Sequence, residues 1–195
     1  MSIQNKTQDK SLCSKERNLA TTYANANNWH WLSYYISDLQ YITKDDIVLD
    51  VGCGVGLGAS ILAEKAKKVI AIDDSKETIE FAKLYWNRPN IEYFHKDAFE
   101  ENNIYDVVVA HEVVEHIKEI DKIFELFSKI TKKYLIVTAP LDSEPIDKTP
   151  SKKRFHWKHY SIEEMTTLFN KNNFEVLNTM FMGKPYYVGK KMEIK

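Results

Sequence analysis

A three-layer α/β fold with a mostly parallel sheet is predicted by three features of the sequence. Short β-branched runs alternate with stretches of helical periodicity from about residue 46 to residue 140. The links between them are short, as right-handed βαβ crossovers require, and a glycine-rich turn follows the first strand directly.

Each element has its own signal. Residues 17–43, including "LATTYANANNWHWLSYYISDLQYI", carry aromatics at mixed three- and four-residue spacings and read as a helical cap of one or two helices. "DIVLDV" is the first strand, and "GLGASILAEKAK" is helical. "KVIAID" is the second strand, followed by "SKETIEFAKLYWN", a helix opened by an N-cap serine and an acidic first turn. "IEYFHKD" and "YDVVVAHE" are strands three and four. "VVEHIKEIDKIFELFSKI" reads as one long amphipathic helix, leading to the fifth strand, "KYLIVTAP".

After Pro140, residues 141–160 contain Pro145, Pro150 and the basic run Lys152 to Arg154, and read as a loop. A loop that long inside a domain is usually functional or disordered. Ser161 and Glu164 have capping-box spacing at the head of "SIEEMTTLFNKNN". "FEVLNTMF" and "KPYYVGKKMEI" have too few residues between them for a crossover helix and should pair as an antiparallel hairpin.

Composition narrows the function classes. With 195 residues and 44% hydrophobic content the chain is expected to form a single domain over 1–195, with residues 1–16 as a mobile arm. A formal net charge of -1 gives no general attraction to nucleic acid or an anionic membrane. No apolar run approaches a membrane span and the first residues lack a signal-peptide core, so a cytoplasmic protein is expected, monomer or homodimer. Cys13 and Cys53 form neither a disulfide framework nor a CxxC pair.

The candidate site begins at "LDVGCGVGLG". In an open parallel sheet the ligand lies beyond the carboxyl ends of the strands, and glycines there admit positive φ and close backbone approach. The spacing Gly52, Gly54, Gly56 departs from GxGxxG, since position 57 is leucine. Asp50, just ahead of the glycines, would repel a pyrophosphate and asks for a cation. Asp73 closes the second strand 21 residues after Gly52, where an acid holds a ribose diol. Asp97, followed by Ala98, closes the third. An ammonium, a ribose and a purine together describe S-adenosylmethionine.

"VLDVGCGVG", "VIAIDDS", "KDAFE" and "YDVVVAHEVVEHI" resemble the successive motifs of class I S-adenosylmethionine-dependent methyltransferases, particularly the small-molecule group that includes ubiquinone-biosynthesis O-methyltransferases. The resemblance covers about residues 46–140, with a weaker echo in "HYSIEEMTTLFNKNNFEVL". It implies that Asp50 orients the methionine amine and that the loop Gly52, Cys53, Gly54, Gly56 accepts the methionine backbone. It also implies that Asp73 takes the ribose hydroxyls, with Asp74 beside it, and that Asp97 and the Ala98 amide read the adenine edge. The fold implied is the Rossmann-like seven-stranded sheet with an antiparallel last strand, in agreement with the hairpin. S-adenosylhomocysteine would be the product.

Plainer roles stand beside these. Asp73 would serve equally as a helix cap, and Asp97 as a turn residue. His111, at the end of strand four where the methyl should emerge, is either a base or substrate contact, or a lining residue of the cofactor pocket. Glu112, Glu115 and His116 fall at i, i+3, i+4 on one helical face; similar positions in some relatives hold a cation, but capping and packing are the expectation here, and no metal. "KKRFHWKHY" is either a substrate clamp or a solvated loop anchored by Phe155 and Trp157. Tyr23, His30, Arg154, His156, His159 and Tyr160 are the candidate substrate contacts, though most aromatics of the cap should be core.

The expected activity is methyl transfer to an oxygen or nitrogen of a small polar metabolite. The basic loop points to a phosphorylated one, such as a sugar nucleotide or a phosphorylated amine. The alternatives are a catalytically silent S-adenosylmethionine-binding subunit and an RNA or protein methyltransferase. "TAPL" after strand five is not the "NPPY"-type sequence of enzymes acting on exocyclic base amines.

Overall fold

The structure, a computed structural model, describes residues 29–143 and 156–193, without the side chains of residues 29–31. Seven strands form one sheet: β1 (Ile47–Val51), β2 (Lys68–Asp73), β3 (Ile91–His95), β4 (Tyr105–His111), β5 (Thr131–Thr138), β6 (Phe174–Phe181) and β7 (Lys184–Lys191). Their order is β3-β2-β1-β4-β5-β7-β6, with β7 antiparallel to both neighbours and the other ladders parallel. The expected hairpin is thus β6–β7. The chain reverses direction across the sheet between β1 and β4, the switch point at which such sheets bind ligands.

Among the described residues five α-helices cover the sheet: α1 (Trp29–Asp38), α2 (Leu57–Leu62), α3 (Lys76–Tyr85), α4 (Ile120–Ile130) and α5 (Ile162–Lys171). Ser75 caps α3 by accepting from the Thr78 amide at 3.3 Å, and Ser161 and Glu164 form the capping box of α5. Strand periodicity divides the core in two. Val48, Val69, Ala71, Val107, Val109 and Val188 pack with residues of α1, α2 and α3 on one face. Leu49, Ile72, Val108, Leu135 and Val137 pack with Phe124, Phe127 and Phe169 on the other. The same two-residue period turns Asp50, Asp73, His111 and Tyr186 toward the face covered by α1 and α2.

One expected element is corrected. Residues 113–130 are not one helix: Glu112 takes φ 54, Val114–His116 is a single 3-10 turn, and Ile117 is extended (φ -100, ψ 121) before α4 begins at Ile120. Glu112, Glu115 and His116 therefore do not share a helical face. The apolar period across 113–130 conceals a reversal made by a left-handed non-glycine residue, which has no marker in sequence. Among the described residues no helix is long and apolar enough to cross a membrane.

Candidate active site

The turn after β1 is built by backbone conformation. Gly52, Gly54 and Gly56 have φ 67, 52 and 86, all in the left-handed region that costs a side-chain-bearing residue about 1–2 kcal/mol. A Cβ on Gly52 would fall 2.5 Å from Val113 Cγ2, and one on Gly56 would fall 2.6 Å from Ala82 Cβ. The loop is pinned from β2. The Cys53 amide donates to the Ile72 carbonyl at 3.0 Å, and the Gly54 amide donates to Asp73 Oδ2 at 2.9 Å. Asp73 Oδ1 accepts from the Ser75 amide at 2.9 Å and the Thr78 hydroxyl at 3.0 Å. This carboxylate thus locks glycine loop and α3 together, while Ser75 does the capping.

A cavity of about 480 Å³ opens at this carboxyl edge. Gly52, Asp73, Asp74, Asp97 and Ala98 line it, so five of the residues expected to hold cofactor surround one space. Asp97 accepts from the Phe99 amide at 2.8 Å and starts the 3-10 turn Ala98–Glu100. Residues that the sequence did not single out as site residues complete the wall, among them Lys96, Phe99, Lys118 and Trp157. Trp157 is 47% exposed and carries Lys118 Nζ 5.4 Å from its ring centroid, so it serves the cavity rather than anchoring the loop to the core.

Asp50 and His111 form a buried compartment on the α1 side of the sheet. Asp50 is fully buried; Tyr35 of α1 donates to its Oδ1 at 3.3 Å, while Oδ2 has no hydrogen-bond partner among the described residues. Burial, offset in part by His111, raises the Asp50 carboxyl to about 7. A buried carboxylate oxygen lacking a donor, next to a bare backbone turn, fits an incoming ammonium group. His111, 4% exposed, contacts Asp38 through Nε2 at 2.8 Å, and its ring lies 4.6 Å from that of Tyr35 in an edge arrangement. Asp38, unmarked in the sequence, is a fully buried acid held by tertiary contact.

The substrate candidates separate. His156 does not itself line the cavity but abuts residues that do: its ring lies 4.7 Å from that of His116 and 4.8 Å from that of His159, and the neighbouring Trp157 amide donates to the Glu115 carbonyl at 2.7 Å. His159 and Tyr160 are each only 4% exposed and fall outside the cavity lining; Tyr160 packs in the α4–α5 core and pairs by a bridge with Leu141. Tyr23 and Arg154, with the Lys152–Arg154 run and the arm 1–16, lie outside the described residues, as does the His30 side chain. No metal was expected here, yet Glu115, His116 and His156 place donor atoms within 4.8 Å of one another.

Glu115 is fully buried and neither carboxyl oxygen has a hydrogen-bond partner among the described residues. Burial first, then the Glu112 charge, raises its carboxyl far above the usual range. An acid bound more tightly to its proton when folded supports the fold at low pH and loses that support as pH rises toward the folded pKa. Glu115→Met should therefore raise the melting temperature at pH 8, by about 1–2 kcal/mol of stability or roughly 2–8 °C. Scanning fluorimetry at pH 8 and pH 5 checks this, with a smaller gain expected at pH 5; a loss at pH 8 would contradict it.

The fold is a Rossmann-like domain with a cavity at the carboxyl edge of its sheet lined by Asp73, Asp74 and Asp97. Residues 49–136 match the family model described as a methyltransferase domain. A ubiquinone biosynthesis O-methyltransferase of Pelagibacter ubique (strain HTCC1062) is 33% identical over 94 residues, 46% of this chain and 39% of that protein. The match thus spans about two fifths of the relative. A methyltransferase solved with the Trm112 methyltransferase activator of Haloferax volcanii superposes with a TM-score of 0.76 at 14% identity, covering 95% of this chain and 99% of that one. Magnesium protoporphyrin IX methyltransferase of Synechocystis PCC 6803, solved with bound S-adenosylmethionine, gives 0.60 at 18% identity, covering 83% and 76%. These two likenesses speak to the fold. Over residues 49–136 the chain is thus similar to methyltransferase domains, and its fold is that of the two methyltransferases above.

Proposed function

We propose that this chain transfers a methyl group from S-adenosylmethionine to an oxygen or nitrogen of a small polar metabolite. The observation that carries the reading is Asp50: a buried carboxylate with one oxygen lacking a donor, at the head of the glycine turn. When bound, the cofactor supplies an electrophilic methyl group on a sulfonium.

The chain's own residues bind, orient and exclude water. Asp50 pairs with the amino group, and the backbone from Gly52 to Gly56 lies against the amino-acid portion. Asp73 and Asp74 face the ribose, and Asp97 with the Ala98 amide faces the base. Tyr35 and the rest of α1 cover Asp50 and His111, so that charge interactions there act in a low dielectric. Methyl transfer is an in-line displacement in which positioning supplies much of the rate. His111 takes the proton of a hydroxyl acceptor.

Oxygen is favoured by the O-methyltransferase name of the Pelagibacter relative. A phosphorylated acceptor rests on Lys152 to Arg154 of the sequence. The test is a panel of phenols, amines and phosphorylated metabolites incubated with methyl-labelled S-adenosylmethionine and the chain alone. Label in a small acceptor supports the reading. Cofactor binding without turnover of any acceptor favours the silent-subunit alternative.

A further inference from the structure

We propose that Asp38 and Tyr186 are positioning residues that set the tautomer of His111 and leave Nδ1 as its proton-accepting atom. The inference rests on the methyl-transfer reading above and extends it to two residues outside the matched segment 49–136.

Asp38 ends α1 and is fully buried, as is the His111 side chain it meets. Its Oδ2 lies 2.8 Å from His111 Nε2, and its Oδ1 accepts from the Tyr186 hydroxyl at 2.8 Å. A carboxylate is acceptor-only, so both contacts are donated to it and the His111 proton sits on Nε2. Burial first, then the Asp38 charge, raises the Tyr186 hydroxyl far above its ordinary range and keeps it a donor. Nδ1 then carries the ring's lone pair, and this buried atom has no hydrogen-bond partner among the described residues.

The ring is held on its faces as well as its edge. Tyr186 stacks on it at 6.2 Å, Tyr34 lies tilted at 5.7 Å and Tyr35 meets it edge-on at 4.6 Å. The titratable groups facing it are thus Asp38, Tyr34 and Tyr35 from α1, Asp50 from β1 and Tyr186 from β7. An Asp–His pair fixed in this way orients the imidazole and stabilises the imidazolium formed when it accepts a proton. The acceptor's O–H bond breaks and its proton passes to Nδ1; its oxygen forms the new O–CH3 bond, and the electron pair of the broken S–CH3 bond stays on sulfur.

The experiment measures methyl transfer from S-adenosylmethionine to substituted phenols of graded acidity in wild type, Asp38→Asn and Tyr186→Phe. S-adenosylhomocysteine affinity is measured in parallel. For weakly acidic phenols Asp38→Asn should lower kcat by about 100-fold or more, and Tyr186→Phe by several-fold. For phenols already ionised at the assay pH both deficits should shrink to within about threefold, because no proton remains to be taken. S-adenosylhomocysteine affinity should stay within about threefold throughout. A deficit equal across the phenols indicates a purely structural role and overturns the proposal.

Nitrogen NMR of histidine-labelled protein supplies a second reading that needs no acceptor. Protonation of His111 at Nε2 in wild type, lost or reversed in Asp38→Asn, supports the proposal; a proton on Nδ1 in wild type overturns it. If Asp38→Asn does not fold, Tyr186→Phe and the wild-type tautomer decide. If wild type methylates no phenol, oxygen transfer as read above fails separately, and the tautomer decides whether Asp38 positions His111.

Discussion

Asp50→Asn should weaken S-adenosylhomocysteine binding by about 30-fold or more, since removing one member of a buried charge pair costs about 2–5 kcal/mol. The wild-type pH dependence should identify the cause. Burial raises the free protein's Asp50 carboxyl to about 7, and the ligand's ammonium pairs only with the ionised form. Affinity should therefore climb about tenfold per pH unit from pH 5.5 toward 7 and level off above it, whereas Asp50→Asn should be flat over the same range. Calorimetric titration across pH 5.5–8.5 checks both. A flat wild-type profile would mean that the ammonium is held elsewhere.

Without ligand the same residue acts in the opposite direction on stability. A carboxyl raised from its ordinary value to about 7 in the folded state contributes fully at low pH and loses that contribution as pH rises through 7. Asp50→Asn should accordingly melt at a higher temperature than wild type at pH 8, by at most about 4 kcal/mol of stability. Weaker binding in a more stable protein is the signature of a charge kept for its ligand.

The strands and most of the helices were legible because each has a period and a punctuation mark. β-branched runs end at acids or glycines, Ser75 and Ser161 announce their helices, and the Phe181–Lys184 spacing permits only a hairpin. The shared placement of Asp73 and Asp97 was legible for the same reason, since the topology sends the carboxyl ends of the parallel strands to one edge. What was illegible depends on crossing geometry. Nothing local distinguishes Asp38 from a solvent-facing acid at the end of an aromatic helix; only the placement of α1 against β4 and β7 brings it to His111 and Tyr186. Period two in β1, β4 and β7 does assign Asp50, His111 and Tyr186 to one face once their core neighbours are known. The break at Glu112 escaped because its left-handed φ sits inside an unbroken apolar pattern.

Gly58, the fourth glycine of the turn, ties that placement to the sequence. It lies in α2 with helical neighbours, and a Cβ there would fall 2.1 Å from Cζ of the buried Tyr35 ring and within 2.5 Å of both Cε atoms. A ring locked between α2 and His111 cannot retreat as a flexible chain end can. Gly58→Ala should thus cost about 3 kcal/mol, roughly 6–12 °C in melting temperature. Tyr35→Ala alone should cost a similar or larger amount by leaving a cavity. In that background the sign should reverse: the clash is gone, and alanine exceeds glycine in helix propensity by about 1 kcal/mol, so Gly58→Ala becomes neutral or stabilising. Denaturant melts of the four proteins measure the coupling, and additive losses would show that Tyr35 does not rest on Gly58. Both single variants should also admit water to Asp50. With Asp50 as the proposed partner of the ligand's ammonium, the pH at which cofactor affinity levels off should then move below 7 in each, tying affinity to the packing of α1.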